Sequence, residues 1–520
     1  MGRILLLTLF LLLPFGAQAA DDGASTFDIL EFVVEGNTVL PALDIERAVY
    51  PHLGEKKTIA SVEAAREALE KRYHATGYLT VFVNVPEQRV EAGVVRLQVV
   101  QATVSRLRVT GSRYYSGNEI KARVPELAEG NVPYFPEVQE QLASLGRTAD
   151  RKITPVLRPA AEPGKLEVDL KVADQRPFHG GIELNNRYSA NTTHLRLSGN
   201  VRWDNLWQKD HSLGVSYQSA PESPKDSRAI SFTYSVPMAN GDYAAAYWAR
   251  NESDVASLGT LGVVGNGDIV GLRWIRPLRG YEGFSHSLTA GVDAKKFGQT
   301  VNLQGADSFN TPISYLPFTL AWTGDWFGKD ANTNINVAAN FHLRDFVGDD
   351  REFANKRFLA TSNYFYLRGD LRQSWVWESG HTLNLRAGFQ LTSDPLISNE
   401  GYVLGGADTV RGYLESEVIG DRGYVAGLEW NFPQIGGDWK DFLRVDDLHA
   451  LAFVETGETR VIEPLPAQTS QFRLSGAGIG LRMKAGGGFV AGVDMVKALQ
   501  DAGTTRAGDT RVHASLRYAF

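Results

Sequence analysis

The chain contains no cysteine among its 520 residues. That absence excludes disulfide bonds, thiol catalysis and thiolate metal sites together. Beyond the N-terminal region, no stretch of about 20 residues is apolar enough for a membrane-spanning helix. The net charge of −7 lacks the basic excess of a nucleic-acid-binding protein, so we expect no nucleic-acid partner.

Enzymatic signatures are also missing. The sequence has no Gly-x-Ser-x-Gly, no His-Glu-x-x-His and no phosphate-binding Gly-x-x-x-x-Gly-Lys. Its ten histidines are dispersed, so we expect no metal cluster. We therefore predict a protein without catalytic residues, metal or cofactor.

The N-terminal segment is typical of a secretory signal peptide. Arg3 precedes the apolar run Ile4 to Phe15, and the small-residue segment Ala17-Gln18-Ala19 follows. We expect residues 1–20 to be removed on export. Only Asp21 to Thr26 would then precede the first strand of the mature chain.

The last two-thirds of the chain show regular alternation of apolar and polar residues. Val512, Ala514, Leu516, Tyr518 and Phe520 alternate with polar neighbours at the C-terminus. A strand with one apolar and one polar face needs two different solvents, and many such strands predict a barrel in lipid around a wet lumen. Sixteen strands are expected, centred near residues 184, 198, 215, 232, 246, 271, 290, 318, 337, 370, 387, 427, 451, 478, 492 and 515.

Residues 27–174 show a different, mixed pattern that occurs twice. Each copy, residues 27–101 and 102–174, is predicted to be a β-α-α-β-β module. The clearest helices, Ser61 to Ala75 and Pro136 to Leu145, are each followed by a glycine. The predicted fold is therefore mostly β: a 16-stranded antiparallel transmembrane β-barrel, residues 178–520, preceded by two periplasmic α+β modules.

Two motifs in the barrel region suggest a buried ion pair. Val410-Arg411-Gly412-Tyr413 lies in the long glycine-rich loop from Ser393 to Asp421, and Phe453-Val454-Glu455-Thr456-Gly457 lies on a later strand. Strand alternation places Phe453, Glu455 and Gly457 on the lumen face. An arginine folded into the lumen would meet this carboxylate with specific bidentate geometry. The alternative, an ordinary external turn and ordinary lumen lining, remains open on these residues alone.

With these motifs, the chain resembles the two-partner secretion transporters (TpsB), and its N-terminal modules resemble POTRA domains. The two motifs occupy the loop and strand where that family has them, and the terminal Phe520 resembles the outer-membrane assembly signal. The resemblance implies a monomer in the bacterial outer membrane that secretes an unfolded exoprotein without ATP. It implies three partners: a large β-helical exoprotein, outer-membrane lipids and the barrel assembly machinery. The cargo would enter the lumen and displace the loop bearing Arg411.

Two departures from the family pattern affect this expectation. The usual aspartate of the second motif is Glu455 here, one methylene longer. The segment before the first module is too short for the helical plug of many relatives, so the Val410–Tyr413 loop would do more of the closing.

The exoprotein is expected to bind as an added strand at the edge of the first module. We assign this edge to Leu79, Val81, Val83 and Val85, although this strand could equally pair only within its own sheet. A barrel-assembly insertase and a passive porin remain alternative functions.

Overall fold

The computed structural model describes residues 26–520, except 147, 253–254, 259–260, 265, 299, 303–307, 311, 345, 437–444 and 467. The predicted signal peptide, residues 1–20, lies outside the described residues. The chain divides into two compact units, Met1–Gln175 and Arg176–Phe520. No helix in the described part of the chain combines the length and hydropathy needed to cross a membrane.

The first unit contains two modules with the same sheet topology. The first module comprises β1 (Phe27–Ile29), β2 (Glu31–Glu35), α1 (Ala42–Val49), β3 (Gly54–Lys57), α2 (Ile59–Thr76), β4 (Val81–Asn84) and β5 (Val94–Gln101). The second comprises β6 (Thr103–Thr110), α3 (Gly117–Ala122), α4 (Phe135–Leu145), β7 (Arg151–Pro159) and β8 (Lys165–Asp174). The sheet orders are β2-β5-β4 and β6-β8-β7, in each case with one parallel and one antiparallel pair.

Helix α2 shows how the sequence pattern builds the first module. Its predicted apolar stripe, represented by Val62, Leu69 and Tyr73, is buried in the core of that module. The helix ends at Gly77, whose φ of 111° lies in the left-handed region that favours glycine. The residues that the sequence pattern places on the apolar face of α2 are thus the ones buried in the structure. The second module has a separate hydrophobic core.

Sixteen antiparallel strands close the described part of the second unit into a barrel. They are β9 (Phe178–Asn185), β10 (Arg196–Leu206), β11 (His211–Ser219), β12 (Arg228–Pro237), β13 (Tyr243–Asn251), β14 (Gly267–Tyr281), β15 (Phe284–Phe297), β16 (Ile313–Tyr315 with Phe318–Phe327), β17 (Ala331–His342), β18 (Tyr364–Val376), β19 (Thr382–Leu391), β20 (Arg422–Asn431), β21 (Val445–Arg460), β22 (Gln471–Ala485), β23 (Phe489–Ala498) and β24 (Thr510–Ala519). Each predicted strand centre falls within one of these strands, and the predicted fold class is confirmed.

The barrel closes where β24 pairs with β9, with Leu516 opposite Leu184. On β24, Val512 and Leu516 are 48% and 49% exposed, whereas His513 is 8% exposed. The outward positions thus present apolar side chains and the inward positions polar ones. This arrangement suits a barrel whose outer surface faces lipid.

Two connections fold inward at the end of the barrel opposite the start of β9. One follows β17 and contains the short helix α5 (Asp350–Lys356). The other is the predicted long loop between β19 and β20. Phe353, Leu396 and Ile397 from these connections are at most 2% exposed and share one apolar cluster with lumen-facing Tyr315 and Tyr366. The barrel interior is therefore partly filled by its own loops.

Candidate functional site

The connection between β19 and β20, which we call the 393–421 loop, enters the barrel. Leu396, Leu404 and Val410 in this loop are at most 2% exposed. Tyr402–Leu404 pairs with Val418–Gly420 as a short antiparallel hairpin. The glycine-rich segment between these two strands carries the Val410–Tyr413 motif at the loop tip.

Arg411 at the loop tip contacts Glu455 of β21 directly. Its Nε donates to Glu455 Oε1 at 2.8 Å, and its Nη2 lies 2.6 Å from the same oxygen. Its backbone N–H donates to Glu455 Oε2 at 2.7 Å. The two residues are 6% and 1% exposed, so both charges are withdrawn from water. The two motifs found in the sequence therefore meet at both carboxylate oxygens.

Further charges surround this pair. Arg386 of β19 donates from Nη2 to Glu455 Oε1 at 2.6 Å. Glu429 of β20 places Oε2 2.9 Å from Arg411 Nη2. Glu455 thus binds two guanidiniums, and the Arg411 guanidinium binds more than one carboxylate.

Asp494 of β23 and Arg482 of β22 complete the set. Arg411 Nη1 donates to Asp494 Oδ2 at 3.2 Å, and Arg482 Nη1 donates to Asp494 Oδ1 at 2.6 Å. We call these six side chains the Arg411 network: Arg386, Arg411, Glu429, Glu455, Arg482 and Asp494. Its three positive and three negative charges balance, which is the condition under which buried charges are tolerated.

Glycines and one aromatic ring on the barrel wall allow the loop tip to approach closely. Gly412 has a φ of 98°, which favours glycine. A Cβ on Gly476 of β22 would lie 2.2 Å from the Arg411 carbonyl oxygen, so the loop backbone rests directly on that glycine. A Cβ on Gly457 would lie 3.0 Å from Leu404 Cδ1. The Phe453 ring lies beneath the Arg411 guanidinium at 3.3 Å, a cation–π contact.

Tyr413 and Val410 anchor the loop tip to β22 and the segment after β23. The Tyr413 hydroxyl donates to the carbonyl of Gln500 at 2.8 Å or of Ser475 at 3.0 Å. Val410 is fully buried in an apolar cluster that includes Leu474. Every residue of the Val410–Tyr413 motif is therefore buried against the barrel wall.

Two more buried carboxylates secure the ends of the 393–421 loop. Glu400 accepts from Lys295 Nζ at 2.6 Å and from Tyr366 OH at 2.8 Å. Asp421 forms a bidentate pair with Arg357, which follows helix α5. Both carboxylates are at most 3% exposed. The loop is thus held at its start, tip and end.

Sequence reasoning missed these additional partners. Arg386, Glu429 and Asp494 occupy lumen-facing positions in the alternation of their strands, which is a usable signal. Their pairing depends on which strands are neighbours and in what register, and alternation within one strand does not supply that. Lys295 and Glu400 are more than 100 residues apart in the chain and carry no local signal.

The strand predicted as the binding edge of the first module is shorter in the structure than the sequence suggested. The strand is Val81–Asn84, shorter than Leu79 to Val85. Val81 and Val83 are at most 2% exposed, so their side chains belong to the module core, while Leu79 and Val85 are exposed and flank the strand. The inward face of β4 is therefore used by the fold, and binding of an exoprotein at this edge stays a prediction that would use the backbone of the strand and its outward side chains.

The outer backbone edge of β4 is also occupied. Val83 N–H donates to Glu70 Oε2 at 3.0 Å, and Val83 O accepts from Arg66 Nη1 at 3.3 Å. Val81 O lies 2.9 Å from His74 Nε2, and Val81 N–H donates to Tyr78 O at 3.3 Å. An added strand must therefore replace side chains of α2.

Phe520 lies at the seam that closes the barrel. Its N–H and C=O each form a 3.0 Å hydrogen bond with Gly180. Its ring lies 5.9 Å from the Phe178 ring, between centroids. A Cβ on Gly180 would lie only 2.5 Å from Cζ of the Phe520 ring. The absence of a side chain at Gly180 therefore makes room for that ring.

Comparison with known families gives two matches. The model for the haemolysin secretion/activation protein family ShlB/FhaC/HecB matches residues 164–483. The model for the ShlB-type POTRA domain matches residues 27–102. The first match covers more than half of the chain and includes both motifs of the loop site.

Individual proteins are similar at lower identity. An outer membrane transporter CdiB of Escherichia coli strain 536 is 21% identical over 455 residues, 81% of this chain and 73% of the relative. The solved structure of CdiB from Escherichia coli aligns over 96% of this chain and 92% of its own, with a TM-score of 0.68 and 18% identity. BamA from Haemophilus ducreyi lacking POTRA domains 1–3 aligns over 95% of this chain and 100% of its own, with a TM-score of 0.56 and 12% identity. At such identities the structural likeness shows the fold alone.

Proposed function

We propose, because this chain belongs to the haemolysin secretion/activation family, that it secretes an unfolded exoprotein through its barrel without ATP. Membership makes the chain a two-partner secretion transporter of the outer membrane, with POTRA domains in the periplasm. The family also implies a secreted exoprotein partner. The observation that carries the proposal is a loop held inside a polar lumen by the charge-balanced Arg411 network, in which Arg411, Glu455 and Asp494 are buried.

The exoprotein would first bind the POTRA domains in extended form. Main-chain hydrogen bonds to a sheet edge give affinity with little dependence on sequence. At β4, this binding would require Glu70 and Arg66 to release the backbone of Val83. The exposed ring of Phe82, 51% accessible on the same strand, would then contact the incoming chain.

Movement through the barrel would be driven by binding and by folding of the exoprotein outside. The periplasm offers no nucleotide fuel, so each segment that folds outside would prevent return of the chain. A large β-helical exoprotein suits this scheme, because successive turns of a repeat protein fold on their neighbours.

Arg411 and Glu455 would hold the loop in the conformation that secretion needs. Arg411→Ala removes one of two cations from each of Glu455 and Asp494, so the network keeps Arg386 and Arg482 but carries one excess negative charge. A buried charge left entirely without a partner typically costs about 3–5 kcal/mol, which is the upper bound here. We expect the barrel to insert but secretion to be lost. The measurement is the exoprotein in culture supernatant, with barrel insertion checked by heat-modifiable mobility in gels.

The matched control is Arg372→Ala. This variant removes an exposed arginine of β18 whose position in the strand alternation faces the lumen. This variant should secrete normally. Full secretion by well-inserted Arg411→Ala would contradict the proposed role. A barrel-assembly insertase is the competing function, and it would instead lower the amounts of other outer-membrane barrels when the chain is deleted.

Several further assignments belong to the same proposal. Residues 1–20 would be removed as a signal peptide, and residues 27–101, 102–174 and 178–520 would act as separate domains. The barrel assembly machinery would insert the chain through recognition of Phe520. The protein would work as a monomer, with no catalytic, metal or cofactor requirement.

A further inference from the structure

The 393–421 loop is held very unevenly by the wall around it. Its tip bonds to β19, β20, β21 and β23 through the Arg411 network, in which Arg411, Glu455 and Asp494 are buried. The Tyr413 hydroxyl adds a bond to β22. It meets the start of the barrel through Arg187 Nη1–Asp408 Oδ2 at 2.8 Å, where the side chains are 36% and 65% exposed. A second contact is the backbone bond from Glu415 N–H to Tyr188 O at 3.0 Å. Breaking an exposed ion pair costs little free energy, whereas breaking a buried one leaves charges uncompensated away from water.

β24 adds contacts on the firmly held side. His513 Nε2 accepts from Gly412 N–H at 3.1 Å, and Arg511 Nε donates to Gly412 O at 3.4 Å. The loop is therefore secured from β19 round to β24. The weaker side faces β9, β10 and β11.

A cavity of about 410 Å³ lies on that weaker side, between the loop and β9–β11. Neutral polar residues line it from the lumen face: Ser198 and Asn200 of β10, and Ser216 and Gln218 of β11. Three carboxyl groups and three guanidiniums also line it, so both signs of charge are present. Among the described residues, two polar contacts hold the loop to the segment after β9, Arg187–Asp408 and Tyr188–Glu415, and Arg196 lies close enough to Glu415 to attract it. Breaking these contacts would widen the cavity.

The chemistry of this lining suits a moving, unfolded polypeptide. Short hydroxyl and amide side chains hydrogen-bond to a peptide backbone regardless of its sequence. Conduction requires contacts that are favourable enough for entry and weak enough for release. A mainly polar lining with both signs of charge meets both conditions, although Ile182 and Tyr217 also line the cavity, since no single class of side chain predominates.

We propose that the unfolded exoprotein passes between the 393–421 loop and the β9–β11 wall, while the loop tip stays bound to the Arg411 network. The inference rests on the proposed secretion function and adds a route to it. It also changes the role expected of the loop: the loop forms one wall of the route and is not expelled from the lumen. Breaking the network then blocks secretion by letting the loop tip collapse into the route.

Site-specific photo-crosslinking tests the route. A benzoylphenylalanine side chain replaces Ser198 or Ser216, and Asn336 of β17 is the matched control on the opposite wall, where it bonds Thr323 Oγ1 at 2.8 Å inside the lumen. The probe is the exoprotein that the unmodified protein releases into the supernatant. Crosslinks from 198 and 216 at several times the yield from 336 are expected. Equal yields, higher yield from 336, or no crosslink from 198 and 216 during secretion overturn the route.

An engineered disulfide provides an independent test, because the chain has no cysteine to interfere. The backbone bond between residues 188 and 415 places these two segments side by side, so Tyr188→Cys is combined with Glu415→Cys and formation of the disulfide is verified by mass spectrometry. Oxidation should stop secretion by sealing the loop to the first strands, and reduction of the same protein should restore it, which controls for folding. Undiminished secretion by the oxidised protein overturns the route. If the unmodified protein releases no exoprotein, the proposed function itself fails.

Discussion

At the scale of single residues, the Arg411 network depends as much on glycines as on charges. Arg411 reaches Glu455 only because the loop backbone lies against β22 without an intervening side chain. Gly476 provides that approach, since even a methyl group there would overlap the Arg411 carbonyl oxygen. The conformational freedom of Gly476 is not the reason, because it lies in an extended strand.

Gly476→Ala is therefore expected to displace the loop tip and reduce secretion as strongly as Arg411→Ala. The added Cβ would lie 2.2 Å from a backbone oxygen, which cannot rotate away. Gly199→Ala is the matched control, because its Cβ would meet the nearest atom at an ordinary 3.8 Å. Exoprotein release measures the effect; normal release from an inserted Gly476→Ala barrel would argue that the loop tip tolerates movement.

Glu415 adds a pH-dependent contact on the weaker side of the loop. Burial raises the pKa of this carboxyl to about 7, and nearby Asp408 acts in the same direction. Because the pKa is raised when the loop contacts the wall, protonation of Glu415 stabilises that bound position of the loop. The stabilisation is complete at a pH below the ordinary glutamate pKa of about 4.5 and is lost as the pH rises through about 7. Openings of the purified barrel in planar bilayers should thus become more frequent from pH 5 to pH 8.

Glu415→Gln should abolish this pH dependence and keep openings rare at pH 8, because the amide stays neutral. Glu183→Gln neutralises another carboxyl that lines the same cavity and should retain the dependence. An unchanged pH profile in Glu415→Gln would assign the titration to a different group.

At the scale of elements, the inward-folded connections act together through Arg357. Its guanidinium binds Asp421 and donates to the carbonyls of Leu396 at 2.6 Å and Ile462 at 2.7 Å. One side chain thus joins the segment after α5 to both ends of the 393–421 loop and to the β21–β22 connection. Asp421 is 1% exposed and depends on this cation.

Arg357→Ala should loosen the outer end of the barrel without unfolding it. The buried Asp421 loses its partner, at a typical cost of about 3–5 kcal/mol to the closed arrangement. Cells carrying this variant should become more sensitive to vancomycin, which is too large for an intact outer membrane. Arg351→Ala removes an exposed arginine from the same helix and should leave sensitivity unchanged.

The strands and the loop contacts differ in how far sequence predicts them. Each strand near 184 through 515 was predictable because lipid outside and water inside impose alternation within every strand. The Glu400 and Asp421 contacts were not, because they join segments whose closeness depends on the register of the closed barrel. Arg411 and Glu455 lie between these cases: alternation assigned Glu455 to the lumen, and the family motif suggested its partner.

At the scale of the whole molecule, the barrel depends on one short seam between its first and last strands. β24 pairs with β9 from Ser515 to Ala519, and the Phe520 backbone extends the pairing to Gly180. Under the proposed assembly role, Phe520 would have two separable tasks: closure of the seam and recognition by the assembly machinery. Its backbone forms the hydrogen bonds that close the seam. The residue is 52% exposed, which leaves the ring accessible for recognition.

Phe520→Ala separates these tasks, because alanine keeps both backbone bonds to Gly180 and removes the ring. In cells, the amount of inserted barrel should fall several-fold if the ring is the assembly signal. In refolding into lipid vesicles without assembly proteins, the variant should reach nearly the unmodified yield, since closure is retained. Phe520→Tyr keeps an aromatic ring and should insert normally in both settings. Equal losses in cells and in vesicles would instead make the ring's packing against Phe178 a requirement for closure itself.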